Sequence, residues 1–137
     1  MTLIIDAGVA LKWVLDEEGS EAARALVTDE ILAAPDLLFI ECANVLWVKA
    51  RRGDFSEADA RNAYAAIAAT PIRLIATELY VAQAQSIAFD LDQTAYDCLY
   101  LAVALAEHAT LISADITFIK AAAAHPLYRA SIRALER

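Results

Sequence analysis

The chain alternates between short apolar runs and longer segments whose apolar residues recur at helical spacing. The short runs are too brief for helices, and they predict strands over residues 2–5, 31–34, 71–76, 110–113 and 131–133. The longer segments predict helices over residues 7–16, 21–28, 36–52, 56–69, 77–91, 95–108 and 117–124. This alternation predicts one α/β domain over residues 1–137, built on a mostly parallel central sheet flanked by helices.

Small and polar residues mark several of the predicted helix ends. Ser20 and Thr94 are predicted N-caps, and Pro35 is predicted to lie in the first turn of the helix over residues 36–52. The helix over residues 95–108 is apolar around nearly its whole circumference, which predicts a position at the centre of the protein.

Four carboxylates interrupt the apolar pattern. Asp6 and Asp115 each end a clear strand, whereas Glu41 and Asp97 lie in helices that are otherwise almost wholly apolar. Because the carboxyl ends of parallel strands share one crevice, the two strand-end acids are predicted to meet there. Each acid also has a structural interpretation. The aspartates stand where helix caps and first-turn acids are common, and Glu41 is explained equally well as the buried partner of a lysine or arginine.

Taken together, the four acids predict a metal site. Carboxylates gathered in one place repel one another unless a cation holds them. Oxygen ligands favour Mg²⁺ or Mn²⁺, and no histidine or cysteine spacing indicates zinc. Asn44 lies three residues after Glu41 and shares its helix face. Cys42 and Cys98 each follow one of the acids and are interpreted as small buried thiols.

The composition limits the possible functions. A 60% apolar chain with 22% charged residues is not disordered, and a net charge of −8 argues against indiscriminate coating of nucleic acid. It does not exclude a nucleic-acid enzyme whose acids hold metal ions. Alanine-rich helices around a modest core predict packing against another chain, either a second copy or a dedicated partner. No leader or membrane span is evident, since the longest wholly apolar run covers only residues 98–106, so a soluble, cytoplasmic protein is predicted.

Four segments, in this order and at this spacing, resemble those of PIN-domain proteins, and in particular the VapC-type toxins of toxin–antitoxin pairs. They are Ile5-Asp6-Ala7-Gly8-Val9-Ala10-Leu11-Lys12-Trp13, Glu41-x-x-Asn44, Tyr96-Asp97-x-x-Tyr100-Leu101-Ala102 and Ser113-Ala114-Asp115-x-x-Phe118. No single segment is specific, but the ordered set is, and it spans essentially the whole chain. The resemblance implies a Rossmann-like sheet and a Mg²⁺- or Mn²⁺-dependent endoribonuclease that a cognate VapB-type antitoxin neutralises. A homodimer, or a larger toxin–antitoxin assembly, is the expected state.

The resemblance also implies roles for individual residues. The acids that hold the metal and serve catalysis would be Asp6, Glu41, Asp97 and Asp115. Asn44 would support Glu41, and the Ser113 hydroxyl would support the site. Water activated by the metal would attack an RNA phosphodiester in line and leave 5′-phosphate and 3′-hydroxyl ends.

Basic residues beside the motif-bearing helices are candidate RNA contacts, namely Lys12, Lys49, Arg51 and Arg52. Solvated charges at helix ends explain each of them equally well.

The chain departs from the family pattern at two positions. Gly8 stands where serine or threonine is common, and Thr117 stands near the position of a further acid in some members. One or two metal ions both remain compatible with this pattern, and so does a catalytically weakened PIN module that binds RNA or protein. A phosphotransfer enzyme with Asp6 as acceptor is poorly supported, because Gly8 stands where a haloacid-dehalogenase-like site has a second aspartate.

Overall fold

In a computed structural model, which describes residues 1–136, the chain forms five strands and seven α-helices. The strands are β1 (Thr2–Ile5), β2 (Ile31–Pro35), β3 (Arg73–Ile75), β4 (Thr110–Ser113) and β5 (Ile132–Ala134). The helices are α1 (Ala7–Val14), α2 (Ser20–Asp29), α3 (Leu37–Arg51), α4 (Glu57–Ala68), α5 (Val81–Leu91), α6 (Ala95–Ala106) and α7 (Ile116–Ala123). Short 3₁₀ turns, Thr77–Tyr80 and Arg129–Ser131, precede α5 and β5. The predicted α/β architecture is confirmed.

The five strands form one sheet in the order β3-β2-β1-β4-β5, and every neighbouring pair is parallel. The chain first builds outward from β1 to β3 and then returns to add β4 on the other side of β1. In sheets of this kind the strand order reverses between β1 and β4, and ligands bind outside the carboxyl ends of the strands at that point.

The central helix α6 packs on the sheet and contributes a large part of the core, to which buried residues of α1, α3 and α5 also belong. Residues 98–104 of α6 are all buried, and the helix packs against β1, β2 and β4. The predicted central position of this helix is therefore confirmed. Strand β1 contributes the fully buried Leu3, Ile4 and Ile5, which accounts for its continuous apolar run. Within residues 1–136, no helix has both the length and the apolar character needed to cross a membrane.

The turn between α1 and α2 differs from the sequence prediction. Gly19, not Ser20, occupies the N-cap of α2, with a φ of +87° that favours glycine. Ser20 is buried as the first residue of the helix. Its hydroxyl donates to the Leu15 carbonyl at 2.6 Å and accepts from the Glu17 N–H at 3.0 Å. Both of these hydrogen bonds go to the turn that precedes α2. The Ser20 side chain therefore stabilises that turn and does not cap the helix.

Two further element ends differ from the prediction. Pro35 ends β2 instead of opening α3, and the next ladder bond runs from the Asp36 N–H to the Ile75 carbonyl at 2.9 Å. The missing N–H of proline therefore removes no bond from the sheet. The helix predicted from residue 77 begins as a 3₁₀ turn, because the Thr77 N–H and hydroxyl both donate to Oδ1 of Asp36 and tie this turn to the start of α3.

Candidate metal centre

The four acids that the sequence singles out come from separate parts of the chain and line one cleft of about 460 Å³ at the carboxyl edge of the sheet, with Glu17 also in its lining. Asp6 follows β1 and Asp115 follows β4, so the pairing of these two strands brings the aspartates to the same edge. Glu41 reaches the cleft from the first half of α3, and Asp97 from the first turn of α6. The topology thus gathers all four acids that the sequence singles out.

The two strand-end aspartates are also helix caps. Oδ1 of Asp6 accepts the Val9 N–H at 3.0 Å at the start of α1, and Oδ1 of Asp115 accepts the Phe118 N–H at 3.1 Å at the start of α7. A carboxylate has about four acceptor positions, so a single capping bond leaves room for a ligand. The structural and the functional interpretations of these residues are therefore compatible.

Ser113 connects these two aspartates from beneath the cleft. The residue is fully buried at the end of β4. Its hydroxyl donates to the Asp6 carboxylate and accepts the Asp115 N–H at 3.1 Å. Because one hydroxyl serves both neighbours, Ser113 fixes their relative position, which fits the supporting role predicted for it.

Glu41 has a partner that the sequence reasoning missed. The Tyr100 hydroxyl donates to Oε1 of Glu41 at 2.5 Å, across 59 residues of sequence. Tyr100 is buried, which raises the pKa of its phenol above the usual value and keeps it a donor. Its position one turn after Asp97 on α6 is the signal that sequence reasoning had available. Asn44 lines the same cleft, but among residues 1–136 no hydrogen bond joins it to Glu41.

Burial and mutual repulsion destabilise the negative charge in this cleft. The pKa of Asp6 rises to about 6, mainly because the carboxyl group is desolvated and further because Asp97 and Asp115 repel it. Hydrogen bonds from Ser113 and the Val9 backbone only partly oppose this shift. The pKa values of Glu41 and Asp97 are also raised, again chiefly by burial.

The four acids that the sequence singles out have no compensating cation among residues 1–136. Within residues 1–136, none of the four carboxylates forms a salt bridge. Lys12 is the one basic residue lining the cleft in that range, and its ammonium group is bonded to Glu17 and Glu18 instead. The interpretation of Glu41 as the partner of a lysine or arginine therefore finds no support, since its bonded neighbour is a tyrosine.

The donor set fits a hard divalent cation. Asp6, Glu41, Asp97 and Asp115 line the cleft together with Asn44, and carboxylate and carboxamide oxygens are ligands that suit Mg²⁺ or Mn²⁺. In the described part of the chain, no three acid, histidine or cysteine side chains are grouped tightly enough to hold an ion as they stand. Binding an ion through these acids would therefore require their side chains to move closer together than they stand in this structure.

Gly8 lies beside this donor set. A Cβ atom at Gly8 would stand 3.4 Å from Oδ1 of Asp6, which is ordinary contact, and the backbone there has no positive φ. A serine at this position would therefore be tolerated, with its side chain next to the carboxylate. The glycine thus removes a hydroxyl from the site without being required by the fold.

The remaining basic candidates lie away from the cleft. Lys49, Arg51 and Arg52 follow Glu41 by eight to eleven residues, which is roughly 12–16 Å along the helix axis. The Arg51 guanidinium stacks over the Trp47 ring at 5.5 Å beside a separate cavity between α3 and α4, and Arg52 pairs with Asp54 at 2.8 Å. Of the four predicted RNA contacts, only Lys12 shares the cleft with the acids.

Tyr100→Phe is expected to weaken Mn²⁺ binding about tenfold, because losing an outer hydrogen bond that orients a ligand typically costs 10- to 100-fold in metal affinity. Isothermal titration of the purified chain measures this change. Tyr64→Phe is the matched control, since among residues 1–136 the Tyr64 hydroxyl forms no hydrogen bond. Equal Mn²⁺ affinity of the Tyr100→Phe variant and the parent chain would refute the orienting role.

Three solved structures resemble this fold. VapBC2 of Rickettsia felis, bound to a promoter DNA fragment, is 12% identical with a TM-score of 0.65, covering 99% of this chain and 100% of its own. VapC20 of Mycobacterium tuberculosis, a Sarcin-Ricin loop cleaving toxin, is 16% identical with a TM-score of 0.67, covering 87% and 94%. A toxin–antitoxin complex from Klebsiella pneumoniae is 14% identical with a TM-score of 0.67, covering 98% of each chain. At these identities the likeness concerns the fold.

Sequence comparison identifies the family. No curated protein matches the chain. Residues 3–124, however, match the family described as the PIN domain, and this range contains Asp6, Glu41, Asp97 and Asp115. Because the match covers most of the 137 residues, the chain belongs to the PIN-domain family.

Proposed function

We propose that this chain is a Mg²⁺- or Mn²⁺-dependent endoribonuclease of the VapC toxin type. The observation that carries the proposal is the cleft in which Asp6, Glu41, Asp97 and Asp115 converge without a basic partner. Such a cluster is unfavourable by itself, because each carboxylate raises the pKa of its neighbours, and a divalent cation removes that cost. The structural likeness to VapC20, described as a Sarcin-Ricin loop cleaving toxin, supports RNA as the substrate class.

Some residues of the cleft would bind the metal ion, and others orient the side chains that bind it. The four acids would hold the ion, and Asn44 offers a further oxygen. Ser113 orients Asp6 and Asp115, while Tyr100 orients Glu41. When bound, a divalent cation lowers the pKa of a water molecule and stabilises the charge that develops on a phosphodiester under attack. No histidine lines the cleft in residues 1–136, so proton transfer by a histidine is not part of the proposal.

Metal dependence is the direct test of this function. The chain, purified free of any partner, is incubated with structured RNA in Mn²⁺, in Mg²⁺ and in EDTA, and the products are resolved on a denaturing gel. Discrete fragments with 5′-phosphate ends are expected with either ion, and EDTA is expected to abolish them. Cleavage that persists in EDTA would rule out the metal-dependent reaction. RNA binding without cleavage in all three conditions would favour a weakened PIN module, for which the missing hydroxyl at Gly8 is the supporting observation.

The proposal includes protein partners. Likeness to VapBC2 and to the Klebsiella pneumoniae toxin–antitoxin complex supports an antitoxin as partner. A tail of that antitoxin is proposed to cover the acidic cleft and to place an arginine against its carboxylates, where no salt bridge exists within residues 1–136. A homodimer is also proposed, supported by the exposed Ile40 and Trp47 on α3. Light scattering of the chain alone tests the homodimer, and light scattering of the chain with antitoxin tests the complex. A structure of that complex in which the acidic cleft is uncovered would contradict the proposed position of the antitoxin tail.

A further inference from the structure

Lys12 is built into the edge of the acidic cleft. It lies in the last turn of α1, four residues after Gly8, and both residues line the cleft. Its side chain is only 14% exposed. The ammonium group donates to Oε1 of Glu17 at 3.1 Å and to the Glu18 carbonyl at 2.6 Å. These contacts hold a positive charge at the cleft's edge, whereas most surface lysines are mobile.

The aliphatic part of this lysine is also fixed by packing. A Cβ atom at Gly19 would stand 3.5 Å from Cδ and 3.6 Å from Cε of Lys12, and 3.1 Å from a methyl carbon of Leu135. The two distances to Lys12 are ordinary van der Waals contacts, so the aliphatic chain of the lysine runs close alongside the backbone at Gly19. Because the side chain is already ordered, binding an anion through its ammonium group loses little further conformational entropy.

A second cavity begins where the acidic cleft ends. It has a volume of about 220 Å³ and shares Lys12 and Ala114 with the cleft. Its other walls include the half-exposed Ile116 and the side chain of Leu135. An extended polymer that leaves the acidic cleft on this side therefore passes directly over Lys12.

Lys12 is the one positive charge among the acidic residues that line the cleft in residues 1–136, so it is the group there that can bind an anion. The acids that line the cleft in residues 1–136 are Asp6, Glu17, Glu41, Asp97 and Asp115, and Lys12 is the one basic residue among its lining. A divalent cation at the acids would attract the scissile phosphate. The neighbouring phosphates of the RNA would still lie beside carboxylates that repel them. An ammonium group has three donors, and hydrogen bonds within residues 1–136 use two of them, which leaves one for another acceptor. Glu17 is 39% exposed and can turn into solvent at little cost.

We propose, resting on the ribonuclease function above, that Lys12 binds the RNA phosphate next to the scissile one, and that this phosphate displaces Glu17 from the ammonium group. Lysine binds phosphate as a compact positive charge, without the fixed geometry that arginine requires. The contact is to a phosphate that does not react, so it is equally strong in the bound state and in the transition state. It therefore affects RNA affinity and KM and leaves kcat nearly unchanged.

The test compares RNA binding by the parent chain and four variants. The probe is a fluorescein-labelled single-stranded RNA of mixed sequence in Mn²⁺, and its anisotropy is read directly after mixing over a series of KCl concentrations. Lys12→Gln is expected to raise Kd about tenfold and to make the slope of log Kd against log salt shallower by about 0.7, which is the value for one lost phosphate contact on a single strand. Lys12→Arg is expected to stay within about threefold of the parent chain, because it keeps the charge.

The other two variants separate this role from a structural one. Glu17→Gln is expected to tighten RNA binding about two- to threefold, since it removes the ion that competes for Lys12. Lys120→Gln changes the net charge equally but lines neither cavity, and it is expected to keep the parent slope. A purely structural role for the Lys12–Glu17 pair predicts the opposite sign for Glu17→Gln.

The outcomes distinguish this proposal from the function on which it rests. If Lys12→Gln and Lys120→Gln share one salt slope, or if Lys12→Gln lowers kcat at unchanged KM, the phosphate contact is refuted while cleavage stands. If the parent chain binds RNA without cleaving it, the ribonuclease function fails and the slopes still decide the role of Lys12. A parent chain that binds no RNA overturns both.

Discussion

Asp6→Asn is expected to reduce RNA cleavage in Mn²⁺ by about a hundredfold or more, because it removes a charged oxygen ligand from the centre of the proposed site. The substitution spares the fold, since asparagine caps a helix as well as aspartate does and its carbonyl oxygen accepts the Val9 N–H in the same way. Asp97→Asn is expected to have a similar effect, and α6 keeps its own cap through Thr94. Single-turnover cleavage rates measure both variants.

The control for these variants is Asp59→Asn. Asp59 is exposed in the first turn of α4 and lies outside the acidic cleft, so this change alters the net charge equally without touching the site. It is expected to keep parental cleavage rates. Asp6→Asn and Asp97→Asn chains that fold normally and still cleave at the parental rate would refute the proposed metal ligands.

The metal-free protein is expected to become more stable as the pH falls from about 6 toward about 4. The folded state holds the Asp6 proton more tightly than the unfolded chain does, since the pKa of this carboxyl group is about 6 when folded and ordinarily 3.8. At pH 7.5 the ionised, partly desolvated carboxylate therefore costs about 3 kcal/mol of folding free energy, and this cost disappears below the unfolded pKa. The raised pKa values of Glu41 and Asp97 act in the same direction. Thermal unfolding in EDTA measures the effect, and the Tm is expected to be about 10 °C higher at pH 4.5 than at pH 7.5.

Metal ions are expected to reverse this pattern. At pH 7.5, an ion at about 100 times its Kd stabilises the fold by about 2.7 kcal/mol, because it binds only the folded acids. Asp6→Asn is expected to raise the Tm of the metal-free protein at pH 7.5, to flatten its pH dependence and to remove most of the response to Mn²⁺. Asp36 acts in the opposite sense, because hydrogen bonds from Thr77 lower the pKa of its carboxyl group. The protein loses this contribution to its stability only when the pH drops below 3.8, outside the range measured. If the stability of the metal-free protein decreased when the pH was lowered from 7.5 to 5, the raised pKa of Asp6 would be contradicted.

Local and long-range information contribute differently to this fold. The helix–strand alternation was predictable because apolar periodicity depends on neighbouring residues, and the acids stood out because they interrupt it. Element ends were less accurate where a distant residue intervened. Asp36 binds Thr77 across 41 residues, and this contact converts the start of a predicted helix into a 3₁₀ turn.

The site itself shows the same division. The sequence alone singled out four acids, predicted that two of them end strands and predicted that a central apolar helix carries a third, because apolar periodicity and its interruptions are local features of the chain. Only the tertiary structure decided which groups meet them. The Tyr100–Glu41 hydrogen bond joins two helices, and Lys12 reaches the cleft whereas Arg51 lies too far along α3. These distances depend on how the strands are ordered and how the helices pack on the sheet, and no stretch of neighbouring residues contains that information.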